Sequence, residues 1–419
     1  MDSLKFIRIG QNYSQPELTD IPNTIKMGMK QLAPENLIQP GQTVAIAVGS
    51  RGIANLAQIV QTIGHQLIAL GAHPFIIPAM GSHGGGTAEG QAAVLASYGI
   101  TEESIAIPIR SSMDVVEIGT TDLGIPVLCD RLASEADRIV IVNRIKPHTN
   151  FIGEIESGLL KMIALGLGKH RGAKIYHRFF HQYSYEKTIR SVGAVILKKM
   201  PIAFGVGILE NSAHQTAEIA IVPAAEIETQ EPQLLKKAKA WCPQLPFPDS
   251  DLLIIDRMGK DISGTGLDPN VTGQKESLVT TGDGKKPKLP KIFVRDLTPA
   301  TEGNAIGVGF ADFTTTRLVN KINFHKTYTN AIAAQDIRGA KIPIYFESDR
   351  EVLTAILSLL GIEEPQRAKI IWIKNTLDLS EIEVSVAYQD AIAKTSNLSR
   401  LTDTRNIPFD ADGNLPYLC

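Results

Sequence analysis

Short runs of apolar, mostly β-branched residues alternate with longer helix-like stretches over most of this 419-residue chain. The first clear run is Thr43–Val48, followed by a helix-like segment that reaches about Leu70. The next run, 74–78, has its prolines at the two ends, where a strand tolerates them. Short, uniformly apolar runs are typical of strands that are buried on both faces of a parallel sheet. The alternation therefore predicts an α/β protein with mostly parallel sheets.

A proline-rich segment divides this pattern into two parts. The stretch 243–251 carries three prolines in its first six residues, which indicates an interdomain linker. The alternation restarts after it, with apolar runs at 252–255, 291–295, 342–346 and 369–373, an amphipathic helix at 351–360 and a polar surface loop at 280–288. The sequence thus predicts two α/β domains, residues 1–245 and 250–419.

The charge balance excludes several classes of partner. Lysines and arginines number 42 against 44 aspartates and glutamates, for a net charge of −2. Nucleic-acid surfaces and polybasic membrane anchors need an excess of positive charge, so neither is expected. The three cysteines form no C-x-x-C pair, and no apolar run approaches the ~20 residues that a membrane span needs. With no signal-peptide pattern at the N-terminus, we expect a cytoplasmic protein.

Cationic or histidine side chains follow four of the predicted strands. Ligands of open α/β sheets bind beyond the carboxyl ends of the strands, where loops converge. The side chains in question are Arg51, His83, His148 with Lys146, and Arg257 with Lys260. Solvated surface residues are the simpler explanation for any one of them. Together they indicate a cleft for a small anion, with histidines available for proton transfer.

A glycine-rich loop and a lysine within an apolar run each allow more than one interpretation. The loop 81–87 contains four glycines before a predicted helix at Ala88–Ser97, which suits either a phosphate cradle or a tight turn. Lys161 lies in an apolar run, where a lowered pKa would suit covalent attachment of a cofactor. A lysine whose charged end reaches solvent from an amphipathic helix is the alternative.

Three histidines, His170, His177 and His181, follow within twelve positions. His177 and His181 are four residues apart, so on a helix they share one face and could bind one metal ion. The H-E-x-x-H signature is absent. A metal-dependent hydrolase built on this pair is therefore one candidate function, and a non-catalytic protein that binds a small anion is another.

Several of these motifs, in this order, resemble those of the nickel-pincer racemases, of which lactate racemase is the best-known member. They are Gly81-Ser-His83, Lys146-Pro-His148, Ser157-Gly-Leu-Leu-Lys161 and His177. The resemblance implies two α/β domains with the active site in the cleft between them. It also implies a pyridinium mononucleotide cofactor whose sulfur groups bind nickel and which is tethered to a lysine through a thioamide.

The resemblance assigns a role to each matching residue. Lys161 would carry the tethered cofactor, with Ser157 and Gly158 beside it, and His177 would bind nickel. His83 and His148 would be acid–base residues on opposite faces of a 2-hydroxy acid, which is racemised by reversible, proton-coupled hydride transfer. Arg51 and Lys260 would contact the substrate, and we expect Arg257, which stands where the family has glutamine, to contact it as well. Proteins of the host that make the cofactor would be required partners.

Departures from the lactate racemase motifs bear on the substrate. Lactate racemases carry Asp-x-Thr-Arg where this chain has Val48-Gly-Ser-Arg51, and Gln-x-x-Lys where it has Arg257-Met-Gly-Lys260. The interval from His148 to Lys161 is also longer than theirs. An added guanidinium favours a second carboxylate, because its fork of donors matches that group. We therefore expect a racemase or epimerase of a 2-hydroxy acid other than lactate, such as a dicarboxylate or a larger polyhydroxy acid.

Overall fold

The chain folds into two compact units. The computed structural model describes residues 3–13, 15–50, 52–273, 290–334 and 337–419. Gln15–Cys242 form the N-terminal unit, and Met1–Ser14 together with Pro243–Cys419 form the C-terminal unit. The first strand, β1 (Lys5–Gln11), therefore belongs to the C-terminal unit although it begins the chain.

A mostly parallel sheet forms the centre of the N-terminal unit. Its strands and those of a separate β4–β5 pair are β2 (Thr43–Val48), β3 (His73–Pro78), β4 (Val115–Thr120), β5 (Pro126–Asp130), β6 (Arg138–Arg144), β7 (Ile202–Glu210) and β8 (Thr216–Pro223). The order in the sheet is β3-β2-β6-β7-β8, with only β8 antiparallel to its neighbour among these strands. Val48 pairs with Pro78 on one side and Val142 on the other, so β2, β3 and β6 end at the same edge.

Helices cover both faces of this sheet. They are α1 (Ile21–Leu32), α2 (Leu56–Ala69), α3 (Ala88–Ser97), α4 (Glu102–Ile105), α5 (Arg131–Ser134), α6 (Leu159–Lys161), α7 (Lys169–Tyr183), α8 (Tyr185–Lys199) and α9 (Ile227–Trp241). Successive residues of a strand point to opposite faces. Val44 and Ile46 accordingly pack in a core with α1 and α2, whereas Ala45 and Ala47 pack in a core with α8 and α9.

The C-terminal unit contains a mixed sheet. Its further strands are β9 (Leu252–Met258), β10 (Lys291–Leu297), β11 (Phe313–Thr315), β12 (Ile344–Phe346), β13 (Ile370–Ile373), β14 (Glu381–Ser385), β15 (Leu398–Arg400) and β16 (Arg405–Asn406). Its helices are α10 (Pro269–Thr272), α11 (Thr316–Val319), α12 (Phe324–Ala334), α13 (Asp349–Leu359) and α14 (Gln389–Lys394). Among the described residues the strand order is β12-β11-β10-β9-β13-β14-β1-β15, with β16 also paired to β1.

The N-terminal strand corrects the domain division expected from the sequence. That division placed all of residues 1–245 in the first domain, but β1 pairs antiparallel with β14 and β15. Phe6, Ile7 and Ile9 are buried in the cores of the C-terminal unit. A partner strand more than 370 residues away leaves no local signal, because strand pairing depends on tertiary contacts.

The α/β fold class and most of the expected elements are confirmed. Strands expected at 43–48, 74–78 and 138–143 are β2, β3 and β6, and the expected helix Ala88–Ser97 is α3. The expected surface loop at 280–288 lies outside the described residues. In the parts of the chain that the structure describes, no helix has both the length and the apolar character that crossing a membrane requires.

Candidate active site

The candidate residues of the N-terminal unit follow three adjacent strand ends. Because β2, β3 and β6 are parallel neighbours, the loops that follow them emerge at one edge of the sheet. His83 lies in the loop after β3, and His148 lies four residues beyond the end of β6. Arg51, in the loop after β2, lies outside the described residues. The structure therefore places both candidate acid–base histidines at the same edge.

His83 is held at the start of a glycine turn. Its Nδ1 lies 2.6 Å from the hydroxyl oxygen of Ser50, in the loop after β2. Gly84, Gly85 and Gly86 have φ between +63° and +69°, the left-handed region that favours glycine. A Cβ on Gly84 would lie 2.5 Å from the backbone of Gly90 in α3. The glycines are thus needed for the turn and for close packing onto α3, which accounts for them without a phosphate ligand.

His148 has a defined hydrogen-bonding environment. Its backbone N–H donates to the buried carboxylate of Glu156 at 2.6 Å, and its ring packs against that of Phe151 at 4.4 Å between centroids, tilted by 33°. The backbone N–H of Asn150 donates to Nδ1 of His148 at 3.0 Å. Since Nδ1 accepts this bond, the neutral ring carries its proton on Nε2. In that form His148 has an N–H donor for a substrate at Nε2.

The longer interval between His148 and Lys161 forms a closed loop. Lys146 and Ser157 pair as an antiparallel bridge, with backbone N–H···O distances of 2.8 and 3.2 Å. The side chain of Asn143, in β6, donates to the carbonyl oxygen of Gly158 at 2.8 Å. Ser157 and Gly158 therefore stay attached to the end of β6 although the chain between them and His148 is longer.

Lys161 ends the short helix α6 and is partly exposed, whereas Leu159, Leu160 and Met162 around it are buried. The carboxylate of Glu231, in α9, accepts a hydrogen bond from the backbone N–H of Leu160 at 2.8 Å. Burial raises the pKa of Glu231 to about 7, against the lowering effect of its backbone hydrogen bonds. A buried acid thus caps the segment that presents Lys161.

Gly158 is required by this cap. A Cβ at that position would lie 2.0 Å from a carboxylate oxygen of Glu231. After Lys161 the chain continues through a π-helical turn, Met162–Gly166, a feature that is frequent at functional sites.

His177 lies in α7 and is partly exposed, with its ring edge-on to Phe180 at 5.0 Å between centroids. His170 is exposed in the first turn of the same helix, and the side chain of His181 lies outside the described part of the structure. Among the described residues, no three His, Cys, Asp or Glu side chains lie together in a way that would hold a metal ion. An imidazole is a suitable nickel ligand and a lysine amine suits a thioamide tether, so this donor set fits a tethered nickel cofactor.

The loop of His83 packs against the segments that carry the candidate cofactor residues. A Cβ on Gly81 would lie 3.5 Å from the carbonyl oxygen of Leu165 and 3.8 Å from Cβ of Ala173 in α7. A Cβ on Gly86 would lie 3.0 Å from Nδ1 of His170. The structure thus brings the His83 loop, the turn after Lys161 and helix α7 into direct contact.

Arg257 and Lys260 are exposed residues of the C-terminal unit. The guanidinium of Arg257 stacks over the ring of Tyr417, 4.5 Å from its centroid. The ammonium of Lys260 donates to the amide oxygen of Asn330 at 2.8 Å. Within that unit, Lys260 follows β9, as the sequence predicts, whereas Arg257 is the next-to-last residue of the strand itself, because β9 continues to Met258.

Comparison with known proteins bears on the N-terminal unit above all. The sequence profile of the lactate racemase N-terminal domain matches residues 8–188. Over these residues the chain is similar to that domain. The match spans His83, His148, Lys161 and His177, and it confirms the family resemblance seen in the sequence.

Two solved structures resemble most of the chain. The lactate racemase apoprotein of Thermoanaerobacterium thermosaccharolyticum superposes with a TM-score of 0.53 at 15% identity, covering 89% of this chain and 99% of its own. A Thermotoga maritima protein gives a TM-score of 0.53 at 13% identity, covering 86% and 97%. At such identities the likeness concerns the fold. The search of curated proteins gave no match.

Several polar residues around the candidate site were missed by sequence reasoning. Ser50 contacts His83, Glu156 holds the loop of His148, and Glu231 caps the segment of Lys161. Glu156 lies within a segment that the sequence marks as unusual, but its role depends on where the chain turns back. Glu231 is 71 residues from its partner and has no motif around it.

Proposed function

We propose that the protein is a racemase or epimerase of a 2-hydroxy acid that works with a nickel-pincer nucleotide tethered to Lys161. The observation that carries the proposal is the match of the lactate racemase N-terminal domain, because it spans the four residues to which the resemblance assigns roles. The contact of the His83 loop with the turn after Lys161 and with α7 supports it.

The chain's own residues have distinct parts in this proposal. When bound, the cofactor supplies a hydride acceptor, and His177 supplies an imidazole to its nickel. His83 removes the proton of the substrate hydroxyl at Nε2, since Ser50 occupies its Nδ1. His148 returns a proton from Nε2 to the substrate oxygen as an imidazolium, a form in which Nδ1 also carries a proton and no longer accepts from the backbone N–H of Asn150. In the opposite direction the two histidines exchange these tasks.

Substrate recognition in this proposal depends on cations. Arg257 and Lys260, both in the C-terminal unit, contact carboxylates of the substrate, and the guanidinium of Arg257 selects a second carboxylate or a polyhydroxy acid over lactate. The stacking of Arg257 on Tyr417 supports a fixed guanidinium plane, which is the property that such selection needs.

Mass spectrometry of protein from a host that makes the cofactor tests the tether. We expect an added mass on the peptide of Lys161 together with bound nickel, both absent in Lys161→Ala. Lys174→Ala is the matched control, because Lys174 is an exposed lysine of α7. Active protein with an unmodified Lys161 would overturn the proposal.

Racemisation of enantiopure 2-hydroxy acids, followed by optical rotation, tests the reaction. We expect a hydroxy dicarboxylate or polyhydroxy acid to be racemised faster than lactate, and His83→Gln to abolish turnover. Cofactor-loaded protein that racemises no member of the panel would contradict the assigned activity.

A further inference from the structure

Lys169, the first residue of α7, is a buried lysine in an unfavourable backbone conformation. Its side chain has no exposed surface, and its φ of +53° lies in the left-handed region. That conformation costs a residue with a Cβ about 1 kcal/mol, and glycine or asparagine is usual there. The side chain must therefore make interactions that offset the strain.

The ammonium of Lys169 meets three buried acceptors from three different elements. Its Nζ lies 2.8 Å from the carboxylate of Asp130 at the end of β5 and 2.5 Å from the carbonyl oxygen of Pro78 at the end of β3. The third acceptor is the amide oxygen of Gln91 in α3, at 3.5 Å. Among the described residues, the contact with Asp130 is an ion pair without a hydrogen bond at Oδ2, whereas those with Pro78 and Gln91 are hydrogen bonds.

Gln91 extends this network to the loop of His83. Its side chain is fully buried, and its amide nitrogen donates to the carbonyl oxygens of Gly81 at 2.8 Å and His83 at 3.3 Å. Hydrogen bonds thus run without interruption from the start of α7, which carries His177, to the backbone of His83.

We propose that Lys169, together with Asp130 and Gln91, is a positioning group that fixes the loop of His83 relative to helix α7. The roles of His83 and His177 rest on the proposed function, whereas the positioning itself does not. A buried ion pair is a weak source of stability, because desolvation of its charges cancels much of their attraction. Its value here is geometric, since it joins β3, β5, α3 and α7 at the edge where the candidate residues lie.

Hydrogen exchange of the full chain, read by mass spectrometry over residues 79–87, tests the proposal. The backbone N–H of His83 donates to Met80, and that of Gly86 donates to His83, so both amides report on the loop. In Gln91→Leu and in the double variant Lys169→Met/Asp130→Asn, we expect exchange of these amides to become about tenfold faster. Exchange in β2 should not change.

Two further variants separate positioning from general stability. Gln91→Glu keeps an acceptor for Lys169 but loses the N–H donors, so it should resemble Gln91→Leu. Thr188→Val is the matched control, because it removes one hydrogen bond of a fully buried residue in α8. It should leave exchange over 79–87 at the wild-type rate.

A second readout follows the ring of His83 directly. In 15N-histidine spectra assigned with His83→Gln, the His83 signals should shift in Gln91→Leu, while those of the exposed His73 should not. In cofactor-loaded protein that racemises a substrate, kcat should fall with KM unchanged.

Unchanged loop exchange in Gln91→Leu, wild-type behaviour of Gln91→Glu, or equal acceleration in β2 and the loop would each overturn the positioning role. The exchange and NMR results do not depend on turnover. A protein that racemises nothing would therefore overturn the proposed function and leave this test intact.

Discussion

The buried carboxyl of Glu231 predicts a distinctive pH dependence of stability. Burial raises its pKa from 4.5 to about 7, although the N–H groups of Leu160 and Leu159 and the charge of Arg190 act in the opposite direction. The folded protein therefore keeps this proton to a higher pH than the unfolded chain does. The resulting stabilisation is complete below pH 4.5 and is lost as the pH rises to about 7.

The size of this effect follows from the two pKa values. Each pH unit between them is worth 1.36 kcal/mol, so ionising Glu231 costs the folded state about 3 kcal/mol. Glu231→Gln removes the ionisation and keeps an acceptor for the N–H of Leu160. The free energy of unfolding of the variant, relative to wild type, should rise by about 3 kcal/mol between pH 4.5 and pH 8.

Cys129 provides an assay that is specific to the N-terminal unit. It is fully buried in that unit, and burial raises the pKa of its thiol to about 12, so it reacts only on unfolding. The protein is titrated with urea at several pH values, and a pulse of thiol-specific reagent then modifies Cys129 only in unfolded molecules. The modified fraction at each urea concentration gives the free energy of unfolding. The exposed Glu103, replaced by Gln, is the control.

The prediction is refuted if the free energies of unfolding of Glu231→Gln and wild type change with pH in the same way. If the difference between Glu231→Gln and wild type changes by less than ~0.5 kcal/mol over this pH range, Glu231 is not a buried acid with a raised pKa. The same outcome would remove the argument that a buried carboxyl caps the segment of Lys161.

Three substitutions test other contacts. Gly158→Ala places a Cβ 2.0 Å from the carboxylate of Glu231, so the N-terminal unit should lose about 2 kcal/mol in the Cys129 assay, and wild-type stability would contradict the close approach. Glu156→Ala leaves the backbone N–H of His148 without its acceptor, so we expect faster hydrogen exchange there and about 2 kcal/mol lower stability; unchanged exchange would refute the contact. Asp256→Ala leaves a fully buried guanidinium with one partner fewer, which should cost the C-terminal unit about 4 kcal/mol in urea unfolding followed by tryptophan fluorescence; an unchanged midpoint would disprove it.

Much of the fold could be predicted because its signals are local. The runs that became β2, β3 and β6 are uniformly apolar, and Thr87 precedes α3 as a helix-capping residue, accepting from Gly90. The order of His83, His148, Lys161 and His177 along the chain also sufficed to indicate the lactate racemase-like family. These features depend on residue type and spacing, which the sequence displays directly.

Residues that support the candidate site could not be predicted in this way. Gln91, Asp130 and Lys169 are ordinary polar residues in the sequence, and they become a network only where three elements meet. The place of β1 in the C-terminal unit was likewise hidden, since its partner is at the other end of the chain.

By itself the sequence indicated the α/β class, the candidate residues and the resemblance to lactate racemases, because periodicity and motif order can be read along the chain without its fold. Only the tertiary structure decided how those residues are held. A buried lysine, a buried glutamine and three buried carboxyls act through hydrogen bonds and an ion pair, some within one segment and others between segments far apart in the chain. Such hydrogen bonds are stronger in the folded protein than in the unfolded chain, because folding has removed water from both partners.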